Sequence, residues 1–219
     1  MVEIATGLKK WYGDFDHYNL KDPLDELLFI ICSTKTEEAS YRNSFRGLKE
    51  SFPTHKAIAS ADAGSIARAI VSGGLSNLKA KAIRNLLDAV VARFGEPSLE
   101  SLRSMDDDEA EDFLVSLPGV GKKIARCVLM YSLGREVFPV DTHCWRIARR
   151  LGWVRPTQKD GHCAPRDMDR LQSKITPKLR HSLHVNMVSL GRGICIASAP
   201  KCGQCPLVDW CPRIGVDRN

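Results

Sequence analysis

Three stretches of this 219-residue chain bring together residue types that can do chemistry. The first, "LPGVGKKIARC" at 117–127, runs two glycines into two lysines and the start of an apolar helix. A glycine turn feeding a helix start presents backbone N–H groups to an anion, and a desolvated lysine amine there is a nucleophile. The second, "FPVDTHCWRIARRLGW" at 138–153, sets Asp141 and His143 at the mouth of a helix. The third, "CIASAPKCGQCPLVDWC", spaces Cys195, Cys202, Cys205 and Cys211 as C-x6-C-x2-C-x5-C.

The glycine stretch fails both nucleotide patterns. A phosphate-binding P-loop needs G-x-x-x-x-G-K-[ST] after a strand, and a dinucleotide fingerprint needs a third glycine where Ile124 stands. An acidic helix precedes it instead. What remains is helix, tight turn, helix, a form that suits either plain helix packing or the backbone phosphate of DNA. Pro118 stops the first helix, Gly119 and Gly121 allow positive φ in the turn, and the second helix starts near Lys122. Helical phase separates the two lysines. Lys122 shares the polar sector with Arg126 and is read as the solvent- or phosphate-facing lysine. Lys123 falls near Cys127 and Met130 at the edge of the apolar side. Partial desolvation and the positive end of the helix dipole lower an amine's pKa there, so Lys123 is the candidate nucleophile.

Four thiolates this close suit tetrahedral zinc or a cubane iron–sulfur cluster; a single C-x2-C pair with wide outer spacings leans to the cluster. Cys32, Cys127, Cys144 and Cys163 lie outside the run and read as buried thiols. For Asp141 the spacing alone favours an N-cap over a catalytic role, and for His143 a structural role.

The elements that must position these groups are helices. Leu24, Leu27, Leu28 and Ile31 form one stripe behind an Asp22–Pro23 start signal. Residues 77–95 place Ala80, Ile83, Leu87, Val90 and Val91 on one face, with Gly95 as the stop. Ser104 is the expected N-cap of the acidic helix in "SMDDDEAEDFLVSL". The helix after Asp141 has Trp145, Ile147, Ala148 and Leu151 on its apolar side and Arg146, Arg149 and Arg150 on the other. "EVFPV" (136–140) is the one strand candidate and is too short to build a sheet. The expected class is all-α, with seams at "LGREVFPVD" and at 154–167.

Bulk composition narrows the partners. A formal charge of +6 suits a polyanion. The longest apolar run, "LLFIIC" at 27–32, is too short to span a bilayer, and the first residues lack the layout of a secretory signal. The expected location is therefore the cytoplasm, at the nucleoid in a bacterium, and no membrane partner is expected; eight cysteines are then expected as thiols rather than disulfides.

The "LPGVGKK" turn, "VDTH" with Asp141 eighteen residues beyond Lys123, and the C-terminal cysteine run together resemble the helix-hairpin-helix DNA glycosylases, the endonuclease III group in particular. The similarity runs from about Leu24 to Cys211. "FPVDTHCWRIARRLGW" and "GGLSNLKAKAI" are also similar to plant 5-methylcytosine glycosylases. The resemblance implies two helical lobes with a DNA-binding cleft between them: a helix-hairpin-helix domain at 23–135, and an iron–sulfur domain built from 1–22 with 136–219. It implies a monomer acting on double-stranded DNA that holds a damaged base or an abasic site. Lysine at position 123, where relatives carry serine or tyrosine, implies a glycosylase that is also a lyase. By position, Lys123 is the Schiff-base nucleophile and Asp141 the essential carboxylate. Gly119, Val120, Gly121, Lys122 and His143 face DNA, and the four tail cysteines ligate a [4Fe–4S] cluster whose loop offers Lys201 to the backbone. Leu75 stands in the intercalating loop. Lys35 replaces the glutamine that fills the gap left by a flipped base, which leaves opposite-base preference open. An oxidised pyrimidine is the expected substrate. A 5-methylcytosine or mismatch specificity, a non-catalytic damaged-DNA clamp and a zinc-ribbon DNA-binding protein are the alternatives.

Overall fold

A computed structural model describes residues 1–14, 18–155 and 162–216. The seam expected at 154–167 lies partly outside these. Among the described residues there are eleven α-helices and no strand. They are α1 (Val2–Tyr12), α2 (Pro23–Ser33), α3 (Glu38–Ser51), α4 (His55–Ser60), α5 (Ala63–Ala69) and α6 (Ser76–Phe94), then α7 (Asp107–Ser116), α8 (Lys122–Tyr131), α9 (Thr142–Arg150), α10 (Pro165–Gln172) and α11 (Arg180–Gly193). The chain is all-α. "EVFPV" forms no regular structure. No described helix is long and apolar enough to cross a membrane.

The chain divides into two compact units, Asn19–Arg135 and Met1–Tyr18 with Glu136–Asn219. In the first, α2 is buried all round, as expected of a helix apolar on every face, and packs against α3, α6 and α8. Asp22 caps it by accepting from the Leu24 and Asp25 N–H groups, and Pro23 sits where its missing N–H costs nothing. Gly95, at φ 78°, ends α6 as the sequence predicts. Ser104 does not cap α7. It closes a short 3₁₀ turn and donates to Ser101 O, while Asp106, nearer the apolar stripe, accepts from Glu109 N.

In the second unit α1 packs on α11, and α11 on α9. Leu8, Phe138, Leu183 and Met187, all fully buried, form the centre of this core. Asp14, just past α1, accepts from Asn186 of α11 at 3.0 Å and pairs with Lys9. The core extends to Leu207, Cys195, Cys205 and Cys211, so the cysteine run is built onto the same apolar body.

Candidate nucleic-acid interface and iron–sulfur centre

α7 and α8 pack together across the turn 117–121. Only one of its glycines needs glycine's freedom: Gly119 is at φ 81°, whereas Gly121 is extended at φ −92° and is the N-cap of α8. Both glycines allow positive φ, but only Gly119 uses it, because α8 needs an extended cap residue at 121. A Cβ at Gly119 or Gly121 would meet nothing within 4 Å, so the space above both is open. Val120 faces inward at 5% exposure and its N–H is committed to Leu117 O. It therefore packs the turn rather than lining its outer surface.

Lys122 and Lys123 open α8. Lys122 is half-buried and its Nζ lies 3.2 Å from the Glu111 carboxylate, which corrects the reading of it as a solvent lysine. Arg126, assigned to the same polar sector, is 3% exposed and holds Glu111 through Nε at 2.7 Å. Helical phase found the stripe correctly but not α7, which covers it. Lys123 is half-buried, one turn from the buried Cys127. Its charge is felt by Glu26 of α2, a carboxylate with no exposed surface. Burial pushes Glu26 up, against the pull of the Leu20 N–H at 2.8 Å, of Asn19 and of Lys123. Sequence reasoning missed Glu26, whose one signal is an acid inside an otherwise apolar helix.

Lys35 and Leu75 are exposed, and both hold left-handed backbone, φ 52° and 51°. Such conformations cost L-residues energy and persist where surrounding contacts impose them. Leu75 is 53% exposed and is the N-cap of α6.

Asp141 caps α9, accepting from Cys144 N at 2.7 Å through Oδ1, and this fixes the carboxylate's orientation. His143 is half-buried; its ring lies against Gly191, where a Cβ would come within 2.5 Å of His143 Cβ. Burial, then the neighbouring Arg146 and Arg192, hold its pKa down, opposed by Asp141. Arg146 reaches Nδ1 of His143 at 3.0 Å and also donates to Cys195 O and Gly191 O. Arg146 and Arg150, read from phase as a polar face, in fact anchor the cysteine run. Arg150 is buried and donates to Ile196 O, Ala197 O and, at 3.1 Å, Cys195 Sγ.

The four tail cysteines, all half-buried, line one cavity with Ile194, Val208 and Val216. Two geometries compete for it. Four sulfurs on one zinc at 2.3 Å would stand about 3.8 Å apart. Among the described residues, the one trio of candidate ligand atoms within 4.8 Å is Asp22, Asp25 and His55, so no three of these sulfurs are that close. The four side chains are therefore not drawn in around a single ion. Burial pushes Cys205 and Cys211 up, against the pull of the Leu207 and Arg213 N–H groups, while the Arg150 guanidinium donates to Cys195 Sγ. Four sulfurs gathered on one apolar cavity are the donor set that an iron–sulfur core takes. Lys201 is exposed on the loop between Cys195 and Cys202 and lines an open hollow with Gln204 and Arg213.

Residues 29–171 match the model of the HhH-GPD superfamily base excision DNA repair protein, and 195–211 match the iron-sulfur binding domain of endonuclease III. The chain is a member of the HhH-GPD superfamily. This HhH-GPD protein is 34% identical over 203 residues to the putative DNA glycosylase At3g47830 of Arabidopsis thaliana, covering 88% of this chain and 65% of that protein. It is 34% identical over 169 residues to the DNA glycosylase/AP lyase ROS1 of the same plant, covering 71% of this chain but 12% of the relative. Endonuclease III of Thermotoga maritima is 29% identical over 191 residues, 87% and 83% of the two chains. The fold is that seen in a non-covalent endonuclease III–DNA complex, at TM-score 0.77, 24% identity and coverage of 97% and 94%. The chain accordingly has the iron–sulfur binding segment of a [4Fe–4S] protein at 195–211, where cysteines stand at 195, 202, 205 and 211.

Proposed function

We propose that this HhH-GPD protein is a bifunctional DNA glycosylase and abasic-site lyase, acting as a monomer on a damaged, oxidised pyrimidine in double-stranded DNA of the cytoplasm or nucleoid. The observation that carries the reading is the position of Lys123. It is the second residue of a helix that starts at an open glycine turn, half-buried, with a buried carboxylate within electrostatic reach. The names of the relatives, DNA glycosylase/AP lyase and endonuclease III, support the same activity.

The damaged nucleotide must leave the stack before its C1′ can be reached. Leu75 and Lys35 then occupy the vacated space, while the N–H groups of the glycine turn and Lys201 hold phosphates. Neutral Lys123 attacks C1′, the C1′–N bond breaks and its electrons leave with the base. The ring-opened sugar is then held as an imine on Nζ. Loss of a C2′ proton and departure of the 3′ phosphate complete β-elimination, and water releases the lysine. Asp141, its carboxylate oriented by the cap, stabilises positive charge developing on the sugar. A bound [4Fe–4S] cluster cross-links the cysteine loop and so supports Lys201, with no part in these steps.

The test is borohydride trapping on abasic duplex DNA, with base release measured on oxidised pyrimidines, uracil and 5-methylcytosine. Lys123→Ala is expected to lose the covalent adduct and keep DNA binding. Lys122→Ala is expected to keep the adduct and bind more weakly. An adduct formed by Lys123→Ala as fast as by wild type overturns the assignment. Preferred release of 5-methylcytosine would favour the second specificity, in line with the resemblance of "FPVDTHCWRIARRLGW" and "GGLSNLKAKAI" to plant 5-methylcytosine glycosylases.

A further inference from the structure

Lys79 is a buried lysine that the mechanism above does not use. It is 4% exposed and lies in the first turn of α6, where the helix dipole disfavours a cation. Burial holds its amine below the ordinary lysine range. Its three N–H donors are all engaged: Nζ donates to Cys32 O at 2.7 Å, to Thr36 Oγ1 at 2.6 Å and to Gly73 O at 2.9 Å. Cys32 belongs to the last turn of α2, whose carbonyl end attracts a cation. The Thr36 hydroxyl in turn donates to Gly73 O at 2.7 Å and closes the network.

The three acceptors lie beside the two left-handed tips. Thr36 directly follows Lys35, and Gly73 stands two residues before Leu75. Gly73 is fixed from its other side too, since a Cβ there would meet Ser44 Oγ at 2.7 Å, while Ser44 itself donates to Ile70 O. Lys79 is thus bonded to both tip loops, which the Thr36 hydroxyl also ties directly to each other. Strained backbone at an exposed tip needs such over-determination, and a displacement of about 1 Å at a positioning group can cost a hundredfold in rate.

We infer that Lys79 is a positioning residue that sets the Lys35 and Leu75 tips as one rigid pair, so that wedge and gap-filler enter DNA together at a fixed separation. The inference rests on the assignment of those tips to DNA made under the proposed function. Its consequence is selective. Opening a paired duplex needs both tips, whereas attack on an abasic sugar in single-stranded DNA needs Lys123 alone.

The experiment compares borohydride trapping rates on one abasic oligonucleotide, single-stranded and as a duplex, for wild type, Lys79→Met and Thr36→Val. Methionine keeps the chain's length and apolar stem but donates nothing. Lys79→Met is expected to trap the single strand within about twofold of wild type and the duplex about tenfold more slowly. Thr36→Val removes the hydroxyl that accepts from Lys79 and donates to Gly73 O, and leaves the Lys79 bonds to Cys32 O and Gly73 O in place, so it tests the same ratio in a less perturbed core; about a threefold loss on duplex is expected. A merely destabilising change would lower both rates alike. Equal loss on both substrates, or an unchanged ratio in both variants, overturns the inference while leaving the proposed activity intact. So does wild-type trapping confined to duplex, which would place the tips in the chemistry itself. Wild-type protein that traps neither substrate overturns the proposed function and this inference with it.

Discussion

The guanidinium of Arg126 grips the carboxylate of Glu111 through two bonds, Nε to Oε2 at 2.7 Å and Nη2 to Oε1 at 3.2 Å. This bidentate pair locks the helix before the glycine turn to the helix after it, with Lys122 as a third member at 3.2 Å. Arg126 is 3% exposed, so losing its partner would strand a buried charge. Glu111→Ala is expected to destabilise the protein by about 3 kcal/mol in denaturant unfolding. A loss below about 0.5 kcal/mol would mean the turn is held by packing alone.

Asp141→Asn separates the two roles of this side chain. Asparagine caps helices about as well as aspartate, so thermal stability is expected to change little. Base release should fall by roughly 10²–10³ because the charge is gone. Trapping on a preformed abasic site should fall less, since no base has to leave. A large drop in melting temperature with base release intact would leave Asp141 as a cap only.

Glu26 makes stability depend on pH in a particular direction. Its folded-state pKa is raised, by burial first, above the unfolded value of about 4.3. A raised group contributes stability that is full below the unfolded value and lost as pH rises through the folded value. Glu26→Gln removes that titration. Its melting temperature should therefore fall less than that of wild type between pH 4 and neutrality. Parallel curves for the two proteins would contradict the shift.

Anaerobically purified protein is expected to contain about four iron atoms and to absorb visible light. Cys202→Ala should lose the iron and melt earlier, because binding energy at such a site is folding energy. Retention of a full iron complement by that variant would exclude Cys202 as a ligand.

The legible parts of the molecule were those whose chemistry is contiguous in sequence. The cysteine run, the Asp22–Pro23 helix start and the Gly95 stop each carry their signal within a few residues. Helical phase placed Lys123 beside Cys127, but phase reports a face and not what covers it. Arg126 and Lys122 share a polar stripe that α7 overlies, so both are paired with Glu111 rather than solvated. The two glycines of the turn look alike in sequence, yet only Gly119 takes positive φ, because the cap position demands extended backbone at 121. Arg150 and Lys79 were out of reach for a different reason. Arg150 donates to Ala197 O and Lys79 to Cys32 O, each 47 positions away.

The pairing of α1 with α11 has a consequence for synthesis. α1 leaves the ribosome well before its apolar partner α11, which is encoded beyond residue 179. At about 5–20 residues per second, Ile4 and Leu8 wait on the order of ten to thirty seconds for the helix that covers them. The Asn19–Arg135 unit, whose helices all precede residue 136, can meanwhile complete itself around α2. The nascent chain therefore carries a sticky amphipathic segment until α11 is made. Chaperone occupancy on stalled chains should concentrate there and vanish once α11 emerges.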